Sequence, residues 1–192
     1  MRAGYEPAAD SGQVTTMRRR TLSAITVRRR PGDPCRGWLM AGPLALPVAL
    51  GRGGIRANKR EGDGGTPLGV FRPKRVWWRG DRHTRPLTYL PVRRIRPDDG
   101  WCEDPSDRHY NRPVRVAPGR KADRLTRSDA LYDFIVEIDH NTRPRVAGRG
   151  SAVFIHIARP GFAPTAGCIA LNVNALRHLL ARLGPRTRIR VD

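Results

Sequence analysis

Glycine and proline cut this 192-residue chain into short pieces, with 20 of the first and 17 of the second, and a single stretch near the end keeps helical spacing. Proline removes a backbone donor and glycine favours turns, so segments this short fold as strands rather than helices. The strand signals begin at Leu22. Ser23 to Arg29 is followed, after Pro31-Gly32-Asp33-Pro34, by a second apolar stretch from Gly37 to Leu50. Gly51 to Gly65 reads as loop, and Thr66-Pro67-Leu68-Gly69-Val70-Phe71 leads into Arg75-Val76-Trp77-Trp78. Residues 82 to 127 are proline-rich and predict long surface loops. Alternation from Tyr132 to His140 places Tyr132, Phe134, Val136, Ile138 and His140 on one face, and Ala152 to Ile157 is the next strand. The exception is Ala175, Leu176, Leu179, Leu180 and Leu183, a helical stripe with Asn172 or Asn174 as N-cap and Gly184-Pro185 as its stop. Thr187 to Val191 closes the chain as a last strand. The pattern predicts one mainly β domain over residues 21–192 with a single helix packed against it, preceded by a loose polar tail over residues 1–20.

The formal charge of +20 comes almost wholly from arginine, since Lys59, Lys74 and Lys121 are the only lysines. A basic face would attract nucleic acid, an anionic membrane surface or an acidic polymer. The arginines are scattered, however, which favours a general arginine bias. Arg18-Arg19-Arg20 and Arg28-Arg29-Arg30 are short runs without a nucleic-acid motif, so no specific nucleic-acid partner is read. No segment reads as transmembrane, because the most apolar one, Trp38 to Leu50, is broken by Gly42, Pro43 and Pro47. Met1 to Gln13 lacks the basic-then-apolar order of a signal peptide. Cys35 and Cys102 match no zinc-ligand spacing, so metal is set aside. These two either pair in an oxidising compartment or stay reduced, and the sequence leaves both open.

The chemistry concentrates between His156 and Cys168, which stand at the two ends of a loop holding Pro160, Gly161, Pro164 and Gly167. A thiol attacks carbonyls as thiolate, and an imidazole beside it takes that proton and later returns one to the leaving amine. On the strand, Val153, Ile155 and Ile157 point one way and Phe154 and His156 the other. Gly167 removes bulk ahead of the nucleophile, and its N–H with that of Cys168 is a candidate oxyanion hole. The bland reading is a buried cysteine among Ile169, Ala170 and Leu171 and a structural histidine.

Gly167-Cys168-Ile169, the preceding His156, the following helix and the upstream Thr66-Pro67-Leu68-Gly69-Val70-Phe71 together resemble the YkuD-type L,D-transpeptidase catalytic domain, over about residues 22 to 191. The resemblance implies a β-sandwich of mixed sheets with one helix after the catalytic cysteine, and no cofactor. It implies peptidoglycan stem peptides as donor and acceptor, hence an extracytoplasmic location. Cys168 would form a thioester with the donor, His156 would act as general base and acid, and an acceptor amine would resolve the thioester. The family commonly carries Ser-His-Gly-Cys followed by an apolar residue and arginine, whereas this chain has Thr165-Ala166-Gly167-Cys168-Ile169-Ala170. Arg159 is the candidate replacement for the missing arginine. Further segments resemble a shorter branch of the family: Gly53 to Pro67, Gly100-Trp101-Cys102, Tyr110-Asn111 and His140-Asn141. On that likeness Arg159, Thr165, Tyr110, Asn111, His140 and Asn141 are candidate substrate-binding residues, with His140 the reserve for a second histidine in the site. Two rivals stand beside transfer. One is an L,D-carboxypeptidase using the same acyl-enzyme; the other is a non-catalytic basic module that binds cell wall or another acidic polymer.

Overall fold

The computed structural model describes residues 21–117 and 122–192, so the tail expected over residues 1–20 lies outside the described residues. Strands β1 (Ala24–Arg30) and β2 (Asp33–Ala41) form a hairpin, and β3 (Leu44–Ala49) returns antiparallel to β2. The segment from Gly37 to Leu50 is therefore divided between two strands. Gly42, at φ +66°, turns the chain between them. Two short strands, β4 (Ile55–Arg56) and β5 (Thr66–Pro67), pair in parallel across the glycine-rich loop. There follow β6 (Gly69–Phe71), β7 (Pro73–Trp78) and β8 (Val92–Arg94). Within the proline-rich region, β9 (Asp99–Trp101), β10 (Pro113–Arg115) and β11 (Asp123–Arg124) make a small sheet of their own. The chain then forms β12 (Phe134–Ile138), β13 (Phe154–Ile157), β14 (Ile169–Leu171), helix α1 (Val173–Leu180) and β15 (Arg188–Val191).

Ten of these strands form one mixed sheet in the order β6-β15-β1-β2-β3-β14-β13-β12-β7-β8. Three of its neighbouring pairs, β1 with β15, β13 with β14 and β7 with β8, are parallel. Ile25, Val27 and Leu39 from one half share a single buried core with Val76, Phe134 and Val136 from the other half. The ladder curls over on itself, and its two halves face each other as the layers of a sandwich do. Helix α1 adds Leu176, Leu179 and Leu180 to that core. Asn172 caps the helix, its side chain accepting from Asn174 N at 2.9 Å.

All five residues of β12 are buried, as befits a strand in the sheet interior. Phe134, Val136 and Ile138 face the main core, while Ile135 faces a second cluster with Trp77, Trp101, Phe154 and Cys168. Tyr132 belongs to this second cluster, not to the face that alternation assigns it. The reason is local: Asp133 N bonds Ala130 O, so Tyr132 sits in a turn before the strand begins. His140 lies beyond the other end of β12 and packs edge-on against Phe71, with ring centroids 5.7 Å apart. No disulfide joins Cys35 to Cys102. Among the described residues no helix is long and apolar enough to cross a membrane.

Candidate active site

Strands β13 and β14 run parallel as immediate neighbours, with Ile155 opposite Ile169 and His156 opposite Ala170. Cys168 directly precedes β14, so this register sets it beside Phe154, on the face that also carries His156. The connection between the strands is pinned to the segment after β3. Thr165 N donates to Leu50 O at 2.9 Å, and Arg52 N donates to Thr165 O at 2.9 Å. Thr66 of β5 holds the same place from behind, its hydroxyl accepting from Gly51 N at 2.8 Å. The Thr-Pro segment thus buttresses the cysteine loop.

A cavity of about 730 Å³ opens over this loop, and Cys168, His156, Gly167, Thr165 and Arg159 all line it. Both members of the pair are buried. The Cys168 thiol donates to Ala152 O at 3.2 Å and accepts from Phe154 N at 3.3 Å. Burial, and then the negative charges of Asp123 and Glu103, push it up to about 12 against the Phe154 amide and Lys59. His156 Nδ1 lies 2.8 Å from Ile157 O. A carbonyl only accepts, so Nδ1 carries the proton and the neutral ring keeps its lone pair on Nε2. Burial, joined by Arg127 and Arg159, lowers His156 to about 4 although the Ile157 carbonyl pulls the other way. Near neutral pH the resting site therefore holds a thiol and a neutral imidazole, not an ion pair.

Three neighbours orient these groups. The Tyr132 ring packs edge-on against His156 at 5.3 Å, and its hydroxyl donates to Asp123 Oδ2 at 2.8 Å. Burial, with Cys168 and Asp123 nearby, raises the Tyr132 hydroxyl well above its ordinary value. The Thr165 hydroxyl donates to Cys168 O at 2.7 Å and accepts from Gly167 N at 3.1 Å. It closes the turn that presents the cysteine, and the Gly167 N–H expected to face an oxyanion is directed to it. Gly167 itself adopts φ +140°, and a Cβ there would stand 2.9 Å from Gly65 O. Gly167→Ala is expected to destabilise the fold by about 2 kcal/mol or more and to displace Cys168. A thermal melt measures the first effect, and a changed rate of thiol labelling at Cys168 measures the second.

The other expected binding residues lie behind the cavity wall. Asn111, buried and at φ 54°, accepts from Trp101 Nε1 at 3.0 Å and Ala152 N at 3.3 Å, and donates to His140 O at 3.0 Å and Asn141 O at 2.9 Å. Asn141 ties Val146 and Gly150. His140 Nε2 pairs with Arg149 O at 3.1 Å. Asn111, Asn141 and His140 thus turn polar atoms to backbone and to the Trp101 indole, not to a groove. His140 is also absent from the cavity lining among the described residues, so the structure does not bring a second histidine to Cys168. Together they support the loop ending at Ala152, whose carbonyl receives the thiol and whose φ is +50°. Tyr110 stands between the two zones: its hydroxyl bonds the carboxylate of Glu61, which lines the cavity, and accepts from Gly150 N at 3.0 Å.

Charged groups from outside the His156-to-Cys168 loop complete the lining. Glu61, Glu103 and Asp123 bring negative charge, and Arg52, Lys59 and Arg127 positive charge. Confinement of the Glu103 carboxyl, then the charges of Asp123 and Glu61, raise it to about 7. Lys59 is 7% exposed and donates to Asp63 Oδ1 and Arg60 O, each at 2.6 Å. Its rarity in an arginine-rich chain, within the glycine-rich segment, was a usable signal. Glu103, Asp123, Arg127 and Tyr132 had none. Among the described residues no group of three or more His, Cys, Asp or Glu side chains is arranged to hold a metal ion.

The family model of the L,D-transpeptidase catalytic domain, YkuD, matches residues 41–191. No curated protein and no solved structure gives a match.

Proposed function

This chain belongs to the family of L,D-transpeptidase catalytic domains, and on that premise we propose that it is a cysteine acyltransferase acting on peptidoglycan stem peptides. The observation that carries the reading is the placing of Cys168 and His156 on one face of two adjacent strands, at the floor of one cavity. In the first half-reaction the thiol leaves Ala152 O and gives its proton to His156 Nε2 while Sγ bonds the donor carbonyl carbon. The Cys168 N–H takes the oxyanion duty, since that of Gly167 is held by Thr165. The C–N bond then breaks, the leaving amine takes the proton from His156, and a thioester remains. In the second half-reaction an acceptor amine attacks the thioester, its proton passes to His156, and Sγ leaves to be reprotonated.

The charges of the cavity suit such substrates. Arg52, Arg127 and Arg159 meet the stem-peptide carboxylates, and Glu61 and Asp123 meet an ammonium group. Tyr110 acts by fixing Glu61, and Asn111, His140 and Asn141 act by fixing the wall that carries Ala152. The substrate implies an extracytoplasmic site of action.

Incubation with stem tetrapeptides followed by mass spectrometry tests the reading, with Cys168→Ala as control. Cross-linked dimers are the expected product. Shortened monomers alone would replace transfer by hydrolysis, and unchanged peptide with wild-type protein would leave a binding module.

A further inference from the structure

Away from the cavity, the outward face of β15, β1, β2 and β3 carries a pattern that catalysis does not use. Residues alternate along these strands. Ile25, Val27, Leu39, Ile189 and Val191 point into the core, so their neighbours point to solvent. The register then aligns the outward residues in rows. One row runs Pro47, Trp38, Arg28, and the next runs Ala45, Met40, Thr26, Arg190, Val70. Arg188 stands outward two residues from Arg190. Trp38 is 42% exposed, Met40 39% and Val70 58%, which is unusual for large apolar side chains on one open sheet face. The carboxylate paired to these arginines is Asp192, 3.5 Å from Arg28, and it offsets one of their three charges.

We infer that this face docks on an anionic lipid bilayer. A tryptophan and a methionine among arginines match both layers of a membrane interface: guanidinium groups meet lipid phosphates while the apolar side chains enter the headgroup region. An anionic polymer in solution would satisfy the arginines and leave Trp38, Met40 and Val70 in water. Arg36, two residues before Trp38, donates to Gly161 O at 2.9 Å. Gly161 belongs to the loop between His156 and Cys168, so a bilayer seated here lies beside the catalytic loop.

Co-sedimentation of the full chain with vesicles tests the inference independently of any acyl transfer. Binding is expected to vesicles containing phosphatidylglycerol and not to phosphatidylcholine alone, with a blue shift of tryptophan emission that Trp38→Phe removes. The triple variant R28A/R188A/R190A is expected to bind about a hundredfold more weakly, and R28K/R188K/R190K to retain binding. Circular dichroism and the melting midpoint establish that each variant is folded. Equal binding to neutral vesicles, undiminished binding by the folded alanine variant, or sedimentation without a Trp38 shift would overturn the proposal. So would binding to soluble polyglutamate with none to vesicles, which gives the face to a polymer, or self-association with none to vesicles, which gives it to a second copy.

Discussion

Replacing Cys168 by alanine is expected to lower acyl transfer by roughly 10⁴-fold or more and to leave the fold in place. The change removes one sulfur atom and two backbone contacts, to Ala152 O and from Phe154 N, a local loss in the second core cluster that leaves the strands around it paired. The same thiol is expected to be slow toward simple alkylating reagents. Held at about 12, it offers about a thousandfold less thiolate at pH 8 than an ordinary thiol, and its alkylation rate climbs with pH until that value is reached. With His156 at about 4, the pair itself contributes no ionisation to the kcat/KM profile from about pH 5 to pH 10. Glu103, at about 7, titrates within that window, and Glu103→Gln removes its contribution. Alkylation kinetics followed at Cys168 by mass spectrometry give the measurement. Rapid labelling at neutral pH, with an inflection that C168S abolishes, would show a resting ion pair instead of a neutral one.

Replacing Asn111 by alanine is expected to cost about 3 kcal/mol or more, measured by denaturant unfolding. The loss leaves Trp101 Nε1 and Ala152 N without this partner in a buried place and removes the bonds to the half-buried His140 and Asn141 carbonyls. The folded fraction is expected to lose kcat more than KM, because Asn111 sets Ala152 and through it the thiol, not the substrate. A change confined to KM would return Asn111 to the groove.

His156 and Cys168 were legible because each signal is local. One lies on an alternating strand, and the other follows a glycine ahead of a capped helix. Asn111, His140 and Asn141 stood out as a set, yet a polar side chain beside a strand end looks the same in sequence whether it faces a groove or a carbonyl. Tyr132 was placed on the wrong face because alternation cannot mark where a strand begins, and the turn at Ala130 to Asp133 is what decides it. Most of the acidic side of the cavity was illegible for another reason: Glu103 stands in a loop and Asp123 in β11, both far from Glu61 in sequence, and only the folded chain brings the three together. In the fold, the sandwich layers were read correctly as mainly β, but their continuity through one ten-stranded ladder is a property of register between distant segments.

The parallel pairing of β13 with β14 has a consequence for how the molecule breathes. These strands sit in the middle of the ladder, flanked by β12 on one side and β3 on the other, and every residue in them is buried. Amides in such a position exchange with solvent only when most of the domain opens, whereas edge strands such as β8 fray cheaply. Cys168 and His156 therefore ride on the last part of the protein to come apart, and heat or denaturant is expected to disperse the pair together with the fold rather than before it.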